Sequence, residues 1–333
     1  MMANATVIPG LDPASYRPHA LHGATRIWPE TNCSVDLTIE VVHALGGDPT
    51  AALGFTVTQD FEGDQFTFFK VPQADLETLF GVETCELSVF DDLGAHVALQ
   101  IERGRLPLVE VDAFFLPDTR DVSYRTAHSK TTIGINRIDV AARRIEYFHN
   151  AGFFALSGED FDGIVGVPGS REHQGLPLFP YTEYLKVRPD RAPRDIRATA
   201  RGLLVRHLAR RPVGNPIRAY AEAFPAHAAD LATRAPAYFH TYAFNTMRMV
   251  GSNFELLAAH LDWLDEPGLA EPRAAAIKIA EDAKAAQFKL ARAMARQKFE
   301  PVLEAIGVMA GSWDAAMAGL DAWAAGAETR AAA

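Results

Sequence analysis

The sequence predicts an α+β region followed by a mostly α-helical one. Three observations point that way. Up to about residue 165, short runs with the two-residue period of a half-buried strand alternate with short runs of helical period. Beyond it, helical spacing dominates, and one segment is rich in alanine. Late in the first half lies a hairpin, SKTTIGINRI and RRIEYFHN joined by a turn through Asp139–Ala142. Together these put an α+β domain at residues 1–165, a Pro/Gly-rich connector at 166–193 and a helical domain or cap at 194–333.

In chain order, Ser34–Leu45 reads as a helix stopped by Gly46 and Gly47. FTVTQD and QFTFFKV read as paired strands around Glu62, Gly63 and Asp64. PQADLETLFG has the proline start and glycine stop of a helix, and TCELSVF follows as a strand. Leu93–Arg103 is a further helix, ending at Gly104, and LPLVEVDAFFLP is an apolar strand closed by Pro117. After the hairpin and the connector, helices are expected near Asp195–Arg210, Pro216–Phe224, Ala237–Leu264 and Pro272–Phe299, with a short pair at the C-terminus.

Composition narrows the function. A net charge of −10 argues against general nucleic-acid binding, which rests on neutralising phosphates. No apolar run approaches the roughly 20 residues that span a bilayer, and the first residues lack the basic and apolar regions of a signal peptide. Two cysteines, Cys33 and Cys85, make no disulfide framework, so a reducing cytoplasm is the expected location. The charge is uneven. From Glu183 to Arg218, ten Lys/Arg stand against three acids, a local net charge of +7. Such a patch suits an acidic partner, and it equally suits a solvated helix face with an Arg-rich connector.

The usual phosphate, metalloprotease and hydrolase motifs are missing: there is no GxGxxG opening a helix after a strand, no Walker loop, no HExxH and no GxSxG. Scattered histidines and two cysteines outside any CxxC give no expectation of a metal. What remains is a cysteine–histidine arrangement. Cys33 stands in the expected first turn of a helix, where the dipole favours a thiolate. His128 begins the first hairpin strand and Asn150 ends the second, so a ladder of suitable register sets them close together. A base and its orienting group on neighbouring strands, facing a nucleophile at a helix start, follow the logic of a triad. Each residue also has a plain structural role open to it: Cys33 as a small packed hydrophobe, His128 as a strand histidine, Asn150 as a turn residue, with His149 competing for any role given to it. In the second half, Asn245, Arg248 and Asn253 are candidates to line a substrate pocket.

The order of Cys33 at a helix start, DAFFLPDTRDVSYRTAHSKTTIG and then YFHN resembles the papain-like fold. More narrowly it is similar to the N-terminal domain of the butirosin-biosynthesis acyltransferase. Its motifs LPDT, YRTAHSKTT and YFHN also resemble the bacterial domain-of-unknown-function family 1839. The resemblance covers residues 25–165 well and the helical remainder more loosely. It implies an acyltransferase that takes an acyl or aminoacyl group from the phosphopantetheine thioester of a carrier protein, through a Cys33 thioester, to a small amine. No bound cofactor is implied. Cys33 would be the nucleophile, His128 the base and Asn150 the orienting residue. No glutamine lies between Arg26 and Cys33 to serve the oxyanion, so the Cys33 N–H with Asn32 stands in for it. Asp112 and Lys130 match the motif without a mechanistic role, Asp112 as a loop holder. A helical cap from the second half would exclude water. Two other readings stay open: a thioesterase or amide hydrolase with the same triad, and a catalytically silent binding protein.

Overall fold

A computed structural model describes residues 5–166, 172–173, 176–177 and 179–331. Its contacts divide the chain into two compact units. The first is Met1–Ala20, Cys33–Pro49 and Gln73–Pro193; the second is Leu21–Asn32, Thr50–Pro72 and Arg194–Ala333.

The first unit contains α1 (Cys33–Ala44), α2 (Gln73–Phe80), β1 (Val82–Glu86), α3 (Leu93–Glu102), β2 (Arg105–Asp112), β3 (Lys130–Asp139), β4 (Arg144–His149), β5 (Gly152–Ser157), α4 (Glu159–Val165), the two-residue strands β6 (Glu172–His173) and β7 (Leu176–Pro177), and β8 (Thr182–Val187). Six of them form an antiparallel sheet in the order β1-β8-β2-β3-β4-β5. The β3–β4 hairpin closes where the sequence places it, with the Ala142 N–H donating to Asp139 Oδ1 at 2.8 Å. Helix α3 starts on Asp92, whose carboxylate accepts the Ala95 N–H at 2.6 Å.

Alternation along the strands assigns the two faces of the sheet. Val109 and Val111 of β2, Ile133 and Ile135 of β3 and Ile145 and Tyr147 of β4 form one buried core with Val97 and Ile101 of α3. The residues between them point the other way, where α1 lies. Gly134 pairs with Leu108, and a Cβ there would meet Leu37 Cδ1 of α1 and Leu108 Cδ2 at 3.3 Å and Leu106 Cδ2 at 3.2 Å. A bare Gly134 therefore seats the helix that begins at Cys33.

The second unit takes in most of a 3-10 helix (Pro49–Thr58) and the helices α5 (Ile196–Leu208), α6 (Pro216–Leu231), α7 (Tyr238–Ala243), α8 (Met249–Leu264), α9 (Ala270–Arg296) and α10 (Glu300–Ala331). A π-turn over Phe244–Arg248 joins α7 to α8. Helix α9 packs on both α8 and α10. Its contacting face is mostly alanine, including the fully buried Ala276, Ala280, Ala283 and Ala286, which permits close helix approach.

Four expectations are corrected. FTVTQD is not the first strand of a hairpin: its first four residues close the 3-10 helix. The Thr56 and Thr58 hydroxyls bond the carbonyls of Leu53 and Phe55, three residues back, at 2.7 and 2.8 Å. Only a single bridge, Phe61 to Phe66, remains of the expected pairing. The expected connector 166–193 contains β8, which lies between β1 and β2; its remaining residues lie partly outside the described ones. The C-terminal pair of helices is one helix, α10. Packing on α9 and α6 outweighs the helix-breaking cost of Gly307 and Gly311, roughly 1 kcal/mol each. Finally β5 was not expected, because its FFALS run is short and follows the YFHN strand after a two-residue turn.

The second unit also holds an acid-sensitive histidine. His260 of α8 is fully buried, with Nδ1 donating to the Thr50 carbonyl at 2.9 Å and Nε2 buried without a hydrogen-bond partner among the described residues. Burial lowers its pKa from 6.5 to about 4, against the raising effect of that hydrogen bond. Above pH 6.5 the ring is neutral both folded and unfolded. Below it the unfolded chain takes up a proton that the folded chain refuses, so stability falls with pH until about pH 4. The expected loss across that window is about 3 kcal/mol. Urea unfolding at several pH values should show this slope in the wild type and a correspondingly shallower one in His260→Gln.

Candidate functional site

The first unit brings Asp112 and His128 together at the end of the β2–β3 pair. Asp112 is the last residue of β2, directly opposite Lys130, and His128 lies two residues before β3 begins. The His128 Nδ1 lies 2.6 Å from Asp112 Oδ2. Its ring stacks on Phe114, with centroids 4.5 Å apart and planes 13° apart. Asp112 also accepts the N–H of Phe114 at 3.1 Å and of Ser129 at 3.2 Å, so one carboxylate holds both ends of the intervening loop and the imidazole. Partial burial would raise its pKa, but His128 and the two N–H groups outweigh burial and hold the carboxyl below its usual range. An ionised Asp112 accepts the Nδ1 proton, which leaves Nε2 as the basic nitrogen. The side chain is 73% exposed, so that nitrogen meets solvent.

Cys33 is the first residue of α1, and Asp112 and Lys130 share with Gly134 the sheet face on which α1 packs. Neither Cys33 nor Cys85 is in a disulfide. Lys130 Nζ donates to Glu110 Oε1 at 2.6 Å on that same face.

The carboxylate of Asp112 stands where the sequence reading put Asn150. Asn150 is the first of two residues between β4 and β5 and has φ +43°, a left-handed conformation that asparagine tolerates better than most residues. It is a hairpin-turn residue. Its neighbour His149 is buried in a separate network: Nδ1 donates to Asp118 Oδ2 at 2.5 Å, and Nε2 lies 2.8 Å from the Thr131 hydroxyl. The Tyr147 hydroxyl donates to the other Asp118 oxygen, also at 2.5 Å. Both ring nitrogens of His149 are thus engaged, which suits it to holding the loop rather than to exchanging protons with a substrate. Asp118 lies in the LPDT motif, and its polar neighbours Thr119, Arg120 and Asp121 leave no local signal that sets it apart.

The remaining candidates belong to the second unit. The Asn32 carboxamide is buried and donates to the Phe69 carbonyl at 3.1 Å. Asn253 is fully buried and donates to Thr56 O at 2.9 Å, which places it in the core rather than on a pocket wall. Asn245 bonds back to Thr241 O at 2.9 Å. Arg248 remains part-exposed, with Nε donating to Thr31 O at 3.1 Å. Part of the basic stretch is paired: Lys186, Arg188, Arg191, Arg201, Arg211 and Arg218 each meet a carboxylate, the first two sharing Glu83. Among the described residues no group of three or more His, Cys, Asp or Glu is placed to hold a metal, and no helix is long and apolar enough to cross a membrane.

Comparison with known families matches residues 17–187 to the DUF1839 N-terminal domain and 194–322 to the DUF1839 C-terminal domain. The chain belongs to the DUF1839 family. No curated protein matches it. The DUF1839 N-terminal match runs to the end of β8 and contains Cys33, Asp112, His128 and the His149 network. The DUF1839 C-terminal match begins just before α5 and holds Asn245, Arg248 and Asn253.

Proposed function

We propose that this protein is a cysteine-dependent acyltransferase with a papain-like core, in which Cys33 is the nucleophile, His128 the base and Asp112 the residue that orients it. The observation that carries this reading is the Asp112–His128 hydrogen bond, which fixes the ring and leaves Nε2 as the basic nitrogen. Two further points support it. Cys33 opens a helix, where a thiolate is favoured, and that helix packs on the sheet face that bears Asp112. The likeness of DAFFLPDT and YRTAHSK to the butirosin-biosynthesis acyltransferase favours a carrier-protein phosphopantetheine thioester as donor and an amine as acceptor.

In this scheme His128 Nε2 takes the Cys33 proton, and the thiolate attacks the donor carbonyl. The carbon–sulfur bond to phosphopantetheine breaks, and the departing sulfur receives the proton from His128. The amine then attacks the Cys33 thioester, His128 takes a proton from the amine, and Cys33 leaves as a thiol when that proton is returned. Thioester and amine become amide and thiol. The test is a product assay with an acetyl-loaded carrier protein, with and without a primary amine. Amide formation that needs both Cys33 and the amine is expected. Free acid released at one rate regardless of amine would make the protein a hydrolase, and transfer at full rate by Cys33→Ala would overturn the scheme.

A further inference from the structure

The second unit carries a lysine set on a tryptophan, outside ion-pair distance of any carboxylate among the described residues. Lys284 Nζ of α9 lies 4.1 Å from the centre of the Trp28 ring, and among the described residues it has no hydrogen-bond or ion-pair partner. The indole beneath it is fixed. Its Nε1 donates to the Ala280 carbonyl at 3.0 Å, and Gly251 of α8 lies so close that a Cβ would fall 2.6 Å from Nε1 and Cε2. Lys284 therefore sits on a rigid plate between two helices.

Two more cations stand around it. Arg248 closes the π-turn before α8, three residues before Gly251, and its charge acts on Lys284; burial first and then Arg248 lower the lysine pKa, against the raising effect of Glu255. Among the described residues Arg248 itself has only the exposed Glu30 as an ion-pair neighbour, at 3.6 Å. Arg26 Nε is 3.4 Å from Glu255 Oε1, and Nε and one terminal nitrogen of its guanidinium are buried without a hydrogen-bond acceptor among the described residues. Glu255, the one buried carboxylate in the group, already accepts the N–H groups of Ile27 and Trp28 at 2.9 and 2.8 Å. Three part-buried cations thus share one committed carboxylate and one on the rim. Like charges held this way repel, and unfilled guanidinium donors add a desolvation cost. An anion would remove both penalties, and the flat indole would support its organic part.

We infer that Lys284 and Arg248, backed by Arg26, form a subsite on the second unit for an anionic group, a carboxylate or a phosphate monoester. The inference does not depend on the chemistry assigned to Cys33. It is tested on the full chain by thermal unfolding and Trp fluorescence titration with inorganic phosphate and, separately, acetate. Lys284→Met keeps the stem over Trp28 and removes the charge, and Arg248→Gln removes the second cation. At least one of the two anions should raise the wild-type melting temperature and saturate a fluorescence change. Both responses should shrink at least threefold in each variant. A response to phosphate alone assigns a phosphate monoester, and one to acetate alone a carboxylate. Without anion, Lys284→Met should melt close to the wild type, because relief of the repulsion with Arg248 offsets the lost contact of the ammonium with Trp28; a purely structural cation–π role predicts a lower melting point. Equal anion responses in all three proteins, or none in the wild type, would overturn the subsite.

Discussion

Asp112→Asn is expected to lower acyl-transfer turnover by about 10³-fold or more while the protein stays folded. An asparagine at this position still accepts the N–H groups of Phe114 and Ser129, since asparagine caps as well as aspartate. It carries no charge to hold the Nδ1 proton of His128. The amide can also turn its NH2 toward that nitrogen and so select the tautomer whose Nε2 bears a proton. His128 would then be a poor base in its correct place. Steady-state kinetics on Asp112→Asn, with melting temperature as the folding control, separate this from collapse of the loop. Asn150→Gly is the matched contrast. A turn residue with positive φ is readily replaced by glycine, so turnover should stay near the wild-type value. A large loss in Asn150→Gly with none in Asp112→Asn would return the orienting role to the hairpin turn.

Asp118→Ala is expected to cost about 3–5 kcal/mol of stability. The substitution leaves His149 Nδ1–H and the Tyr147 hydroxyl buried without an acceptor, in a site where both rings are essentially inaccessible. It also unpins the loop that joins β2 to β3, because Asp118 is that loop's bond to β4 and, through His149, to Thr131 of β3. Urea unfolding should show the midpoint falling with the slope unchanged. Asp118→Asn, which can still accept one of the two bonds, should lose less. An unaltered midpoint in Asp118→Ala would mean that the network contributes nothing to the fold.

The elements legible in the sequence were those whose signals are local. The β3–β4 hairpin, α1 and α3 each announce themselves within a dozen residues by a period and a turn or stop residue. β8 does not. It is a short strand among prolines, and it is held by β1 and β2, which precede it by some 75 to 100 residues. The candidate site divides in the same way. Cys33, Asp112 and His128 were all singled out, two by position and one by motif. The bond between Asp112 and His128 was not, because 15 residues separate them and only the β2–β3 register brings the ends together. For Asn150 both the orienting role and a turn role were open, and β5, which makes it a hairpin-turn residue, has no strong local signal. In the second unit, Asn253 looked like a pocket residue on a helix face, but the 3-10 helix over Pro49–Thr58 covers that face and takes its amide bond.

The most direct test is to look for the covalent intermediate. The full chain is mixed with an acetyl-phosphopantetheine thioester in the absence of amine, quenched in acid, and weighed intact and after digestion. The mechanism predicts one acetyl group on Cys33, retained in Cys85→Ala, formed far more slowly in His128→Ala, and absent in Cys33→Ala. Transfer product accumulating with no adduct on Cys33, or with the label on Cys85, would contradict it.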